Sequence, residues 1–167
     1  MMDKSIINQC SVVLTRKCNL RCSFCYAKDA GYCESEMVSF ENLKKIIDFC
    51  CEAKVRYVFF TGGEPLLYPY LDDILVYIKE KRHPITTAVA TNGILFEDLL
   101  FCKKMIDSGL DYIDVSIKGN NTQKWVKNTG YNGYIKQQKA IKNLSLLGID
   151  FTCSMAVSYT HLTLPPT

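Results

Sequence analysis

Cys18, Cys22 and Cys25 stand with three and then two residues between them, a spacing that lets one loop set three thiolates on a single inorganic centre. Structural zinc sites close with four ligands. No histidine lies nearby and no second Cys-x-x-Cys pair follows, so a zinc reading lacks its fourth partner. Three thiolates on a four-iron, four-sulfur cube leave one iron open, as a cluster that binds a small molecule requires. The bland alternative is three incidental thiols in a chain with nine cysteines and two histidines. The odd count and clustered spacing argue against a disulfide framework. The start, Met1-Met2-Asp3-Lys4, lacks the basic-then-apolar order of an export signal, so the expected compartment is the reducing cytoplasm.

The other cysteines carry different expectations. Cys50 falls on the apolar face of a helical pattern and Cys102 shares a face with Leu99 and Ile106, so both read as small buried hydrophobes. Cys10, Cys51 and Cys153 have no assigned role, and Cys33, in a loop with Gly31, reads as accidental or supporting rather than as a ligand. Arg16, Lys17, Arg21 and Lys28 either balance a cluster's charge or are solvated. Lys124, Lys127, Lys136, Lys139 and Lys142 read as wet helix surface, and His83 suits a helix end rather than catalysis.

The elements that must position the cysteine loop follow one beat. Apolar, β-branched runs at 11–15, 56–61, 86–91, 112–117 and 149–157 read as strands. Between them helical spacing runs from Ser39, a candidate N-cap, through Cys50, then over 70–81 after Pro69, over 97–108 before Gly109, and over 134–147 before Gly148. Strands alternating with helices specify right-handed βαβ units and a parallel sheet, either doubly wound and open or part of a (β/α) barrel. In both, chemistry belongs at the C-terminal strand ends. There the sequence places the cysteine loop, Gly62-Gly63-Glu64-Pro65, Asn92-Gly93 and Lys118-Gly119-Asn120.

The pattern Cys18-x3-Cys22-x2-Cys25, with Phe24 before the last cysteine and Tyr26 after it, resembles the cluster loop of the radical S-adenosylmethionine (SAM) enzymes. Gly62-Gly63-Glu64-Pro65 resembles their GGEP motif. The resemblance covers about residues 8–156 and implies an α/β fold, the partial (β/α)6 TIM-like barrel of that family, truncated here in or after the fifth strand. It implies a 4Fe-4S cluster ligated by Cys18, Cys22 and Cys25, with the amino and carboxylate groups of SAM on the fourth iron. Gly62 and Gly63 would let the backbone approach the methionine end of SAM, and Glu64 would set negative charge near its ammonium. Phe24 and Tyr26 would meet the adenine, Ser116 and Lys118 the ribose and carboxylate, and Asn92 would be a further cofactor contact. The family's strand-five motif is not recognisable in 151–156. The implied reaction passes an electron from the cluster to the sulfonium and yields a 5′-deoxyadenosyl radical that takes hydrogen from a substrate. The protein positions SAM and excludes water and oxygen.

Composition narrows the partners. With 167 residues, 48% hydrophobic and 22% charged, the chain is a globular domain, not a disordered, collagen-like or coiled-coil one. No stretch approaches the roughly 18 apolar residues of a membrane helix, and a net charge of +3 without a basic block offers nothing to nucleic acid. The expected partners are a peptide, protein or small-molecule substrate and an electron donor such as flavodoxin or ferredoxin. Two branches compete within the resemblance, a maturase acting on a peptide or protein and an activase of a glycyl-radical enzyme. The reading from another class is a non-catalytic metal-binding module using the same cysteines plus Cys33, which leaves the Gly-Gly-Glu-Pro run unexplained. Finally, Val157 to Pro165 resembles one reading frame of a sequencing-library adapter, so 1–156 is expected to be the incomplete core and 157–167 a non-native tail.

Overall fold

The structure, a computed structural model, describes residues 7–27 and 35–155. Its strands are Gln9–Thr15 (β1), Tyr57–Gly62 (β2), Thr86–Thr91 (β3), Tyr112–Ile117 (β4) and Asp150–Met155 (β5). They lie side by side in chain order, every neighbouring pair parallel. A doubly wound sheet reverses its order at a switch point. This sheet does not, so the barrel wall is the architecture realised.

The helices are Phe40–Glu52 (α1), Leu71–Lys79 (α2), Leu99–Ser108 (α3), Thr122–Thr129 (α4) and Tyr134–Leu147 (α5). Along β1, Val12 and Leu14 are buried while Val13 between them is 56% exposed, the alternation of a sheet packed on one face only. Val58, Phe60, Val89, Ile113 and Val115 continue the packed face, joined by Leu43, Ile47, Ile74, Met105 and Leu144 from the helices. Cys50 and Cys102 are fully buried in this core. The opposite face carries Tyr57, Phe59 and Tyr112 beside Asp114 and Thr152 on the neighbouring strands.

Two helices differ from the sequence pattern. The run read over 97–108 divides into a 3₁₀ turn, Ile94–Glu97, and α3, because the Asp98 carboxylate accepts from Leu100 N at 2.8 Å and caps a new start there. Lys124 and Lys127, expected on a wet helix face without a helix of stated bounds, lie on a separate short helix, α4, capped by the Asn121 side chain accepting from Lys124 N and closed by Gly130 at φ 69°. A second, smaller core gathers Leu20, Cys22, Ile94 and Trp125, with Cys18, Cys25 and Tyr134 against it.

Among the described residues no helix is long and apolar enough to cross a membrane. Lys28, Cys33 and the expected tail at 157–167 lie outside them.

Candidate functional site

Chain that leaves a barrel strand at its C-terminal end has no sheet partner of its own, so its position depends on what it binds. The cysteine loop leaves β1 at Thr15 and is fastened first to the end of β2. Gly63 N donates to Thr15 O and Glu64 N to Lys17 O, both at 2.8 Å. A Cβ on Gly62 would lie 2.3 Å from Thr15 O, and one on Gly63 would lie 2.3 Å from Lys17 O. The glycine pair is therefore demanded by the backbone of the loop's own root, in addition to any approach to a cofactor. On the other side Arg16 N donates to Glu36 O at 2.9 Å, and the Arg16 and Glu36 side chains pair at 2.8 Å. Arg21 folds back, its Nη1 donating to Cys18 O at 2.6 Å and Leu20 O at 2.9 Å.

Glu64 is buried, 1% exposed. Its carboxylate accepts from Thr91 Oγ1 at 2.7 Å, Asn92 N at 2.8 Å and Leu66 N at 3.2 Å, stapling the end of β2 to the end of β3. Burial pushes its pKa up, opposed by these three donors and by the charge of Lys118. Asn92 is equally engaged. Its Nδ2 donates to Asn19 Oδ1 in the cysteine loop at 2.7 Å, its Oδ1 accepts from Ile94 N at 3.0 Å, and its carbonyl accepts from Gln137 Nε2 at 2.8 Å. The same Gln137 amide reaches Ser116 O at 3.0 Å. Asn19 and Gln137, which tie the loop to β3 and β3 to β4, were invisible to the sequence reading because polar residues in loops and on helices are the commonest of all. Pairing across 73 residues leaves no local pattern.

These bonds enclose a cavity of about 280 Å3. Its wall contains every residue nominated from the sequence: Cys18, Cys22, Cys25, Phe24, Tyr26, Gly62, Gly63, Glu64, Asn92, Ser116 and Lys118. Leu20, Thr61, Ala90 and Thr91 complete it. Tyr26 is 80% exposed at the rim. Lys118 Nζ lies 5.6 Å from the centre of the Phe24 ring, within reach of a cation–π contact.

The donor set fits a cluster better than a single ion. Among the described residues no three Cys, His, Asp or Glu side chains converge closely enough to hold one metal ion, whereas a cube takes each thiolate at a different iron. Burial raises the Cys18 thiol to about 11, aided by Glu64, Cys22 and Cys25 and opposed by Leu20 N, which donates to its sulfur at 3.4 Å. Burial also raises Cys22, while Lys118 lowers it. Three thiols on one partly dry cavity, with Lys118 in the same wall, are a donor set that a cationic iron centre would suit. By contrast Cys50, raised to about 12 by burial, and Cys102, whose Sγ donates to Phe96 O at 3.1 Å, are packed in the main core away from the cavity.

Comparison with known proteins agrees with this geometry. Residues 12–165 match the Radical SAM superfamily. The chain is 31% identical over 136 residues to a probable GTP 3′,8-cyclase of Methanococcus maripaludis, covering 81% of this chain and 45% of that one. It is 37% identical over 108 residues to the Fe-coproporphyrin III synthase of Methanosarcina barkeri, covering 64% of this chain and 26% of that one. The chain thus spans less than half the length of these curated relatives. Among solved structures, native anSMEcpe with bound AdoMet and Kp18Cys peptide superposes with a TM-score of 0.73 at 18% identity, over 87% of this chain and 42% of that one, a likeness of fold. Superfamily members use a 4Fe-4S cluster and SAM, and they are enzymes rather than passive metal-binding modules. With three loop cysteines gathered at the ends of five parallel strands, and with the family match running nearly end to end, the chain belongs to the radical SAM superfamily.

Proposed function

We propose that this chain is the part of a radical SAM enzyme that holds both cofactors, with Cys18, Cys22 and Cys25 ligating three irons of a 4Fe-4S cluster. The observation that carries it is the convergence of all three thiols with the ends of β2, β3 and β4 on one cavity. When bound, the cluster supplies the electron that cleaves SAM, and SAM supplies the radical that takes hydrogen from a substrate.

The chain's own residues have separable tasks. Lys118 offers a cation to the SAM carboxylate, and Ser116 offers a hydroxyl to the ribose. Phe24 and Tyr26 present aromatic faces to the adenine. Gly62 and Gly63 let the backbone close over the methionine end. Glu64 and Asn92 line the cavity while holding the β2 and β3 ends and the cysteine loop in register, so their influence on SAM is largely through geometry.

The substrate is placed against the open face of the sheet next to the cavity, where Asp114, two residues before Ser116 on the same face of β4, accepts from Thr152 Oγ1 at 3.3 Å. A peptide or protein substrate is the reading brought from the sequence, and a precursor-peptide enzyme is among the structural neighbours. A nucleotide substrate is the second reading, supported by relatives named as GTP 3′,8-cyclases. The comparisons support neither the maturase nor the activase branch specifically.

Anaerobic reconstitution with iron and sulfide tests the assignment. One oxygen-sensitive cluster per chain is expected, lost in Cys18→Ala, Cys22→Ala or Cys25→Ala and retained in Cys50→Ala. A colourless protein with stoichiometric zinc, indifferent to loss of Cys22, would refute it.

A further inference from the structure

The loop that carries the thiols has neither helix nor strand between Arg16 and Ala27, so the position of its middle cysteine is set from outside. The residues on both sides of Cys22 are held by one element. Arg21 N donates to Thr129 O at 3.1 Å and Ser23 N donates to Asn128 O at 2.8 Å. Both acceptors lie in the last turn of α4, where carbonyls lack intrahelical donors and are open to partners elsewhere. Trp125, fully buried, packs with Cys22 from the same helix.

Asn128 has a second bond. Its side-chain Nδ2 donates to Lys118 O at 2.7 Å, at the end of β4 where Lys118 and Ser116 enter the cavity wall. One residue therefore grips the chain next to Cys22 with its main chain and the chain at Lys118 with its side chain.

We propose that Asn128 is a positioning residue that fixes the spacing between the cysteine loop and the β4 wall of the cavity, and so couples cluster geometry to SAM binding. This rests on the reading of the site given above. The two grips are separable by mutation. Removing the amide of Asn128 leaves its carbonyl on Ser23, so Cys22 keeps its place, while Lys118 O loses the donor that anchors it. Cluster uptake persists and SAM affinity falls.

Asn128→Asp is the test, because the carboxylate matches the amide in shape but offers no N–H to Lys118 O. The whole 167-residue chain is reconstituted anaerobically. Iron and sulfide content, the electron paramagnetic resonance signal of the reduced cluster with and without SAM, and SAM affinity by titration are then compared with the parent. The variant is expected to hold the same iron and give the same signal without SAM. Its SAM dissociation constant should rise about tenfold, equivalent to about 1.4 kcal/mol. Asn128→His, which returns an N–H close to the lost one, should recover much of that affinity. Unchanged SAM affinity in Asn128→Asp overturns the proposal, and so does iron loss in parallel with affinity, which would mean that Asn128 merely holds the loop. Amide hydrogen exchange on the apo chain gives a readout independent of the cofactors. Faster exchange confined to the segment after Lys118, with Arg21 and Ser23 still protected, is expected. Equal loss at both places overturns the proposal even where the parent takes up a cluster. A parent that takes up no cluster refutes the reading of the site itself.

Discussion

Replacing Gly63 by alanine would put a methyl group 2.3 Å from Lys17 O and 2.7 Å from Arg16 O. Both are backbone atoms, so no side chain is available to swing away, and the loop root must retreat by about 1 Å to reach ordinary contact. That movement breaks or stretches two bonds, Gly63 N to Thr15 O and Glu64 N to Lys17 O. At about 1 kcal/mol each, with about 1–3 kcal/mol for overpacking, the expected loss is about 3–5 kcal/mol. For a domain of this size each kcal/mol lowers the melting temperature by about 2–4 °C, so a fall of roughly 10 °C is expected. Gly130→Ala is the matched control. Gly130 has φ 69° but nothing within 4 Å of its Cβ position, so only backbone strain of about 1–2 kcal/mol applies. Thermal unfolding of the two apo variants, followed by circular dichroism under reducing conditions, measures both. If Gly63→Ala melted within 2–3 °C of the parent, or no lower than Gly130→Ala, steric exclusion at the loop root would not be what the glycine provides.

Glu64→Gln keeps the side chain's shape but turns an N–H toward the converging donors Thr91 Oγ1, Asn92 N and Leu66 N. It should lower stability by about 1–3 kcal/mol in urea unfolding while iron uptake continues, and an unchanged midpoint would show that these bonds do not hold the strand ends. Trp125 is the single tryptophan of the chain and packs with Cys22, so its fluorescence should be strongly quenched when the parent chain is loaded with iron and sulfide. A Cys18→Ala chain put through the same treatment should keep its emission, and quenching there as well would disconnect the signal from the cluster.

The cysteine spacing and the glycine-glycine-glutamate run were legible because local sequence determines what they require. Three thiols in eight residues must share a loop, and a strand-ending glycine pair marks a close approach whatever lies opposite. Strand and helix periodicity was equally local, which is why Thr86–Thr91, Tyr112–Ile117 and Tyr134–Leu147 fall where the pattern puts them. Helix α4 was legible only as the wet face of Lys124 and Lys127, without its bounds or its buried side. Thr122–Thr129 is short and largely polar, and its stability comes from Asn121, Gly130 and the burial of Trp125 rather than from an apolar stripe.

By itself, then, the sequence determined the ligand type, the order of elements and the rim on which the chemistry gathers, since each follows from neighbours along the chain. Periodicity alone allowed an open doubly wound sheet or a barrel, and the family resemblance pointed to the barrel that the chain-order sheet shows. Only the tertiary structure decided that Gly62 and Gly63 are pressed against the loop's own backbone and that Glu64 and Asn92 act as fasteners as well as wall. It also decided that α4 grips the chain on both sides of Cys22. Each of these is a contact between segments distant in sequence, set by the packing of helices on a twisted parallel sheet, and that packing leaves no periodic trace in the residues that make it.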